Sequence, residues 1–166
     1  MGQNTENSIL ELFYESPDKK FTVREIAKLT KIPRATVHKY LINLKKQNLI
    51  TKNNEVSNNL ILKAKKINYF VEKIISSGLV DELIDKLNPS CIILFGSIRK
   101  GDSVKKSDID IFVESHLKKQ INTKKYEKKL KHKIQLFIEP DINKLHSNLF
   151  NNIINGIKLF GGFKIK

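Results

Sequence analysis

The sequence predicts an α+β chain in two parts, with three helices and a hairpin first and strands alternating with helices after them. Three observations carry this prediction. Apolar residues recur at helical spacing through Leu44 and again from Leu60. A continuous apolar run, Cys91-Ile92-Ile93-Leu94-Phe95, has the length and composition of a strand buried on both faces. Behind it, alternating Ile109, Ile111 and Val113 and then Ile134 to Ile138 mark two more strands.

The first helix is expected around Ile9, Leu10, Leu12 and Phe13 and is stopped by Pro17-Asp18. A second begins at Thr22, with Glu25 three residues on completing a capping box, and carries Val23, Ile26, Ala27 and Leu29 on its apolar face. Lys31-Ile32-Pro33 make a short turn, and Pro33 suits the first turn of a third helix marked by Val37, Leu41 and Leu44. Leu49 to Lys52 and Glu55-Val56, around Asn53-Asn54, read as two short strands. Residues 60–77 and 79–87 form two further helices, separated by Gly78 and closed by Asn88-Pro89. After the Cys91 strand comes a basic loop containing Gly and Ser. The Ile109 strand, a Lys-rich helix from Thr123 to Lys131 and the Ile134 strand follow, and the last helix is expected from Ser147 to Leu159. The domains expected are 1–59, with 60–88 as linker helices, and 89–166.

Hydrophobic residues make up 40% of the chain and charged residues 29%, enough apolar mass for a core in a soluble protein. No apolar run is long enough to span a bilayer, so no membrane association is expected. The opening, Met1 to Ser8, lacks the basic start and apolar stretch of a signal peptide. The single Cys91 excludes an intrachain disulfide, which fits a cytoplasmic location. Lys and Arg number 31 against 17 Asp and Glu, a formal charge of +14. Such a charge attracts the phosphates of nucleic acid or nucleotides. It also follows from the Lys-, Asn- and Ile-rich composition that AT-rich genomes encode.

In a helix-turn-helix the second helix of the motif enters the major groove with its N-terminal side chains at base edges. Here Arg34, Thr36, His38 and Lys39 stand near that end, where Arg34 can pair with guanine or a phosphate. Lys45, Lys46 and Lys52, the last from the hairpin, would touch backbone phosphates. The segments Phe21 to Leu29 and Ile32 to Val37, with Leu41, resemble the winged-helix domains of prokaryotic regulators, which implies DNA as a partner.

The second part carries the sharper pattern. Gly96-Ser97 ends the buried strand, and a glycine lets backbone N–H groups approach a phosphate while the hydroxyl donates. Arg99 and Lys100 add positive charge. Asp108 and Asp110 stand two apart, so on a strand their carboxylates share one face. Mg²⁺ is held by a pair of carboxylates together with substrate phosphates, which makes this a candidate metal-nucleotide site.

The Gly-Ser step followed by Asp-x-Asp resembles the defining motif of the DNA polymerase β nucleotidyltransferase superfamily. It is most similar to the minimal nucleotidyltransferases of prokaryotes. Arg99-Lys100-Gly101-Asp102, Ser107 and the Asn152 to Ile157 stretch share in the resemblance. It implies a small mixed sheet flanked by helices, with Asp108 and Asp110 as catalytic metal ligands. It also implies ATP or another nucleoside triphosphate held by Gly96, Ser97, Arg99, Lys100 and Ser107. The reaction implied is transfer of a nucleotide, AMP from Mg-ATP, to a hydroxyl on protein or nucleic acid.

One departure bears on this. Active members use a third carboxylate on a neighbouring strand, and alternation puts Gln135 in that place. An amide cannot act as a general base. Glu114 and Glu139 are offset along their strands by roughly 13 Å, and His116 and His132 are the remaining bases. The alternatives are therefore a catalytically silent transcriptional regulator or an antitoxin-like protein that grips a helical toxin partner. Homodimerisation through the 60–77 helix is a further expectation.

Overall fold

A computed structural model describes residues 2–165, and they form two compact units that divide between Lys66 and Ile67. Among the described residues no helix is long and apolar enough to cross a membrane.

The first unit opens with α1 (Gly2–Glu15), which buries Ile9, Leu10, Phe13 and Tyr14. Phe21 packs edge-on against Phe13 with ring centroids 5.2 Å apart. Helix α2 (Val23–Thr30) starts with the expected capping box. The Thr22 hydroxyl accepts from the Glu25 N–H at 3.2 Å, and the Glu25 carboxylate accepts from the Thr22 N–H at 2.9 Å. These two bonds satisfy donors that the first helical turn leaves orphaned. Ile26 is fully buried, but Leu29, expected on the same face, is 56% exposed. Helical rotation carries it about 60° beyond Ile26 and off the contact.

Lys31 adopts a left-handed conformation (φ 59°) and turns the chain into α3 (Arg34–Lys46). Pro33 sits at the N-cap of α3, one position earlier than expected, and Val37, Leu41 and Leu44 are buried as the spacing requires. The hairpin is smaller than its sequence suggests, a single antiparallel bridge between Ile50 and Val56. The Thr51 hydroxyl accepts from the N–H groups of Asn53 and Glu55, which reverses the chain too soon for longer strands. Asn54, in the left-handed region at φ 57°, ties this wing to the body of the unit by donating its amide to the Phe21 carbonyl at 3.1 Å.

Helix α4 (Leu60–Ser76) spans the division between the units, and α5 (Leu79–Leu87) lies wholly in the second. The second unit continues through β1 (Cys91–Phe95), the short helix α6 (Gly96–Lys100), β2 (Ile109–Glu114), α7 (Lys124–Leu130) and β3 (Ile134–Glu139). A 3-10 turn (Ile142–Lys144), α8 (Ser147–Ile154) and β4 (Ile157–Gly161) complete it. The sheet order is β3-β2-β1-β4; β1 pairs antiparallel with both neighbours, and β2 pairs parallel with β3.

Both faces of this mixed sheet are covered. On one, Ile92, Leu94, Ile109, Ile111 and Val113 pack with Leu79, Leu83 and Leu87 of α5 and with Tyr126 and Leu130 of α7. On the other, Cys91, Ile93, Phe95 and Phe112 pack with Ile142 and Ile153. Continuous burial along β1 follows from its central place. The 60–88 stretch, read from sequence as a linker, thus divides at Lys66, and α5 contributes directly to the second core. Burial raises the Cys91 thiol to about 11, which leaves it an inert apolar side chain.

The structure departs from two local expectations in this unit. The segment after Gly96 is a helical turn rather than a loop. The last helix stops at Ile154, and residues 157–161 form an edge strand on β1. Gly156 explains the second change. A β-carbon there would lie 2.3 Å from Ile93 Cγ2 and 2.7 Å from the Leu94 carbonyl oxygen, so only glycine lets the chain turn this close to β1.

Candidate functional site

The end of β1 and the start of β2 come together because the two strands are antiparallel and Phe95 pairs with Asp110. Gly96 follows directly with φ +73°, a conformation that side chains disfavour. The Asp110 carboxylate occupies the space a side chain would need, since a β-carbon on Gly96 would stand 2.0 Å from Asp110 Oδ2. Gly96 and Asp110 are therefore in close apposition, with Ser97 next in the chain on α6.

Asp110 is half-buried beside Phe95, whereas Asp108 is exposed and lies just before β2 rather than within it. Asp108 thus stands one residue outside β2, two positions before Asp110. The two carboxylates still feel each other. Burial first, then the charge of Asp108, push the Asp110 carboxyl above its ordinary range. Ile109 and Ile111 point to the opposite face, into the core, as alternation requires.

The surrounding residues are placed as follows. Arg99 is half-exposed and Lys100 exposed on the last turn of α6. Ser107 closes a turn, with its hydroxyl oxygen accepting from the Val104 N–H at 2.9 Å. Its carbonyl lies 2.7 Å from Nδ1 of His132. His132 is only 5% exposed and packs edge-on against Phe70, so it is a buried support for this loop and not a solvated histidine.

On the neighbouring strand Gln135 pairs in register with Asp110. The β2–β3 pairing runs unbroken from Ile109/Ile134 to Glu114/Glu139, so no bulge brings either glutamate toward Asp110. Glu114 is held at the far end, accepting from the Ser90 hydroxyl and, at 2.8 Å, from the Ile142 N–H. His116 is exposed beside a separate cleft of about 650 Å³ at that same end, lined also by Ser90, Glu114, Asp141 and Lys164. Among the described residues no group of three or more His, Cys, Asp and Glu side chains is disposed around a metal position.

In the first unit the exposed face of α3 presents Arg34, His38, Lys39 and Lys46. Thr36 and Lys45 are half-buried on its two flanks, and Lys52 is exposed at the tip of the wing. Sequence reasoning passed over Ala35 and Ile42, which are exposed near the middle of that face. Their only signal was position: each lies opposite the buried Val37-Leu41-Leu44 stripe.

A family model described as Polymerase beta, Nucleotidyltransferase matches residues 77–162, and one described as IclR helix-turn-helix domain matches residues 8–54. No curated protein and no solved structure matches the chain.

Proposed function

The chain belongs to the Polymerase beta nucleotidyltransferase family and carries a helix-turn-helix DNA-binding domain before it, and from that premise we propose a DNA-bound, nucleotide-responsive regulator that binds a magnesium–nucleoside triphosphate without transferring it. The observation that carries this reading is the pairing of Asp110 with Gln135. The position that would complete the carboxylate set holds an amide, which neither adds charge nor removes a proton from an attacking hydroxyl.

What remains supports binding. Asp108 and Asp110 repel each other, and a hard divalent cation with oxygen preference would relieve that repulsion. The two carboxylates are the residues that would hold it, leaving the rest of its shell to triphosphate and water oxygens. Gly96 and Ser97 would receive the phosphates, with Arg99 and Lys100 supplying positive charge nearby. When bound, the cation would supply charge neutralisation to the triphosphate. ATP is the nucleotide of first choice for the test. Arg34, Thr36, His38 and Lys39 would read the operator, and Lys45, Lys46 and Lys52 would grip its phosphates.

A second reading, transfer of AMP from Mg-ATP to a hydroxyl on protein or nucleic acid, is favoured by the close apposition of Gly96 and Asp110. One experiment separates the two. Calorimetry with ATP and Mg²⁺ should show binding that Asp110→Asn weakens at least about tenfold, while α-labelled ATP yields no labelled product on the chain, on DNA or in a cell lysate. Label transfer by the unaltered chain, lost in Asp110→Asn, would establish the second reading instead. Absence of Mg-ATP binding would remove both.

A further inference from the structure

The Lys-rich segment between β2 and β3 sorts into two groups once its contacts are known. Lys125 is paired with Glu82, and Lys129 donates to the carbonyls of Ser76 and Ser77, so both are used to seat α7 on the second unit. The others, Lys118, Lys119, Lys124, Lys128, Lys131 and Lys133, are all exposed. The acidic residue within this stretch, Glu127, accepts from the Thr123 hydroxyl and from the Ile134 N–H and neutralises none of them.

The surface extends further. The Lys133 carbonyl accepts from the Ile109 N–H at 2.8 Å, and His132 contacts the Ser107 carbonyl. These bonds set Lys131 and Lys133 beside the turn that carries exposed Lys105 and Lys106. Compositional bias would scatter lysines over the whole surface. It does not account for their concentration here, where the exposed carboxylate of Asp108 beside Lys106 is far outnumbered, an arrangement that costs self-repulsion in the isolated fold.

We propose that this surface binds the phosphodiester backbone of duplex DNA, so that the second unit contacts DNA in its own right. Duplex DNA is the polyanion to which the helix-turn-helix domain brings this chain, and that tethering raises the local concentration of backbone seen by the lysines. The contact is independent of sequence, because lysine ammonium groups on phosphates carry no base readout. It stands whether or not nucleotide binds at Asp108 and Asp110.

The test uses the full chain and a mixed-sequence duplex, with affinity measured by fluorescence anisotropy between about 50 and 200 mM salt. Lys124, Lys128 and Lys131 are changed together to Gln, to Arg in a second variant, and Lys144, Lys158 and Lys164 are changed to Gln in a charge-matched control. Each lost phosphate contact should flatten the plot of log affinity against log salt by about 0.9. Across that salt range the unaltered chain should then lose roughly 40-fold more affinity than the triple Gln variant. The Arg variant should behave like the unaltered chain, and the control should keep its slope. An unchanged slope in the triple Gln variant would overturn the proposal. So would an equal change in the control, which would mean net charge alone acts. An effect on single-stranded RNA but not on duplex DNA would also overturn it, in favour of a different partner.

Discussion

The carboxylate of Asp110 fills the space over Gly96 that any side chain would need, 2.0 Å from where a β-carbon would stand. The glycine is thus required twice, for its positive φ and for its emptiness. Gly96→Ala should destabilise the second unit by about 1–3 kcal/mol, combining left-handed strain with a forced shift of Asp110. Adding Asp110→Ala should recover part of that loss. Denaturant unfolding of the two single variants and the double variant measures the coupling, and strict additivity would show that the two residues do not touch.

Asp110 is also a pH-dependent liability. Its carboxyl is raised above the ordinary value, so the folded chain holds that proton more tightly than the unfolded chain does. Stability from this group is present at low pH and falls as pH rises through the unfolded and then the folded value. Asp110→Asn should therefore equal or exceed the unaltered chain in stability at neutral pH, with the advantage vanishing below the ordinary Asp range. The same variant should bind Mg-ATP at least about tenfold more weakly, by the loss of one charged ligand. Thermal unfolding across pH and calorimetry read the two effects separately.

Glu82 behaves in the opposite sense. Hydrogen bonds from Lys125, Lys86 and the Tyr126 hydroxyl, in that order, draw its carboxyl down to about 2. Its stabilising contribution is complete above the unfolded value near 4.5 and is lost as pH falls toward 2. Glu82→Gln should cost about 1 kcal/mol at pH 7, a modest figure because Lys86 and Lys125 are solvent-screened. The variant and the unaltered chain should converge at the acid end of a pH series of melting temperatures.

The capping box at Thr22 has a separable effect. Thr22→Ala removes the acceptor for the Glu25 N–H and should cost about 1 kcal/mol in the first unit. Thr22→Ser should restore most of it. Hydrogen exchange of α2 amides against those of β1 would show whether the loss stays local.

Arg34→Ala should weaken specific DNA binding by about 1–3 kcal/mol and relax preference at one base pair. Lys52→Ala should weaken all duplexes alike and flatten the salt dependence by about 0.9. Binding isotherms on a set of operator variants distinguish these outcomes.

Local chemistry was enough to determine much of this protein. The Thr22/Glu25 cap, the Val37-Leu41-Leu44 stripe, the burial of β1 and the alternation that sets Gln135 beside Asp110 each depend on neighbours a few residues apart or on a period of two or 3.6. Tertiary structure decided the rest. Residues 157–161 form a strand because an edge of β1 was available and Gly156 could approach it, a condition that helical spacing in the sequence does not report. Leu29 is exposed and His132 buried because burial depends on which neighbour covers a face. Lys125 and Lys129 differ from the lysines around them only in what α5 and the end of α4 present to them. These outcomes are set by which residues far apart in the chain come into contact, and no local period in the sequence reports that.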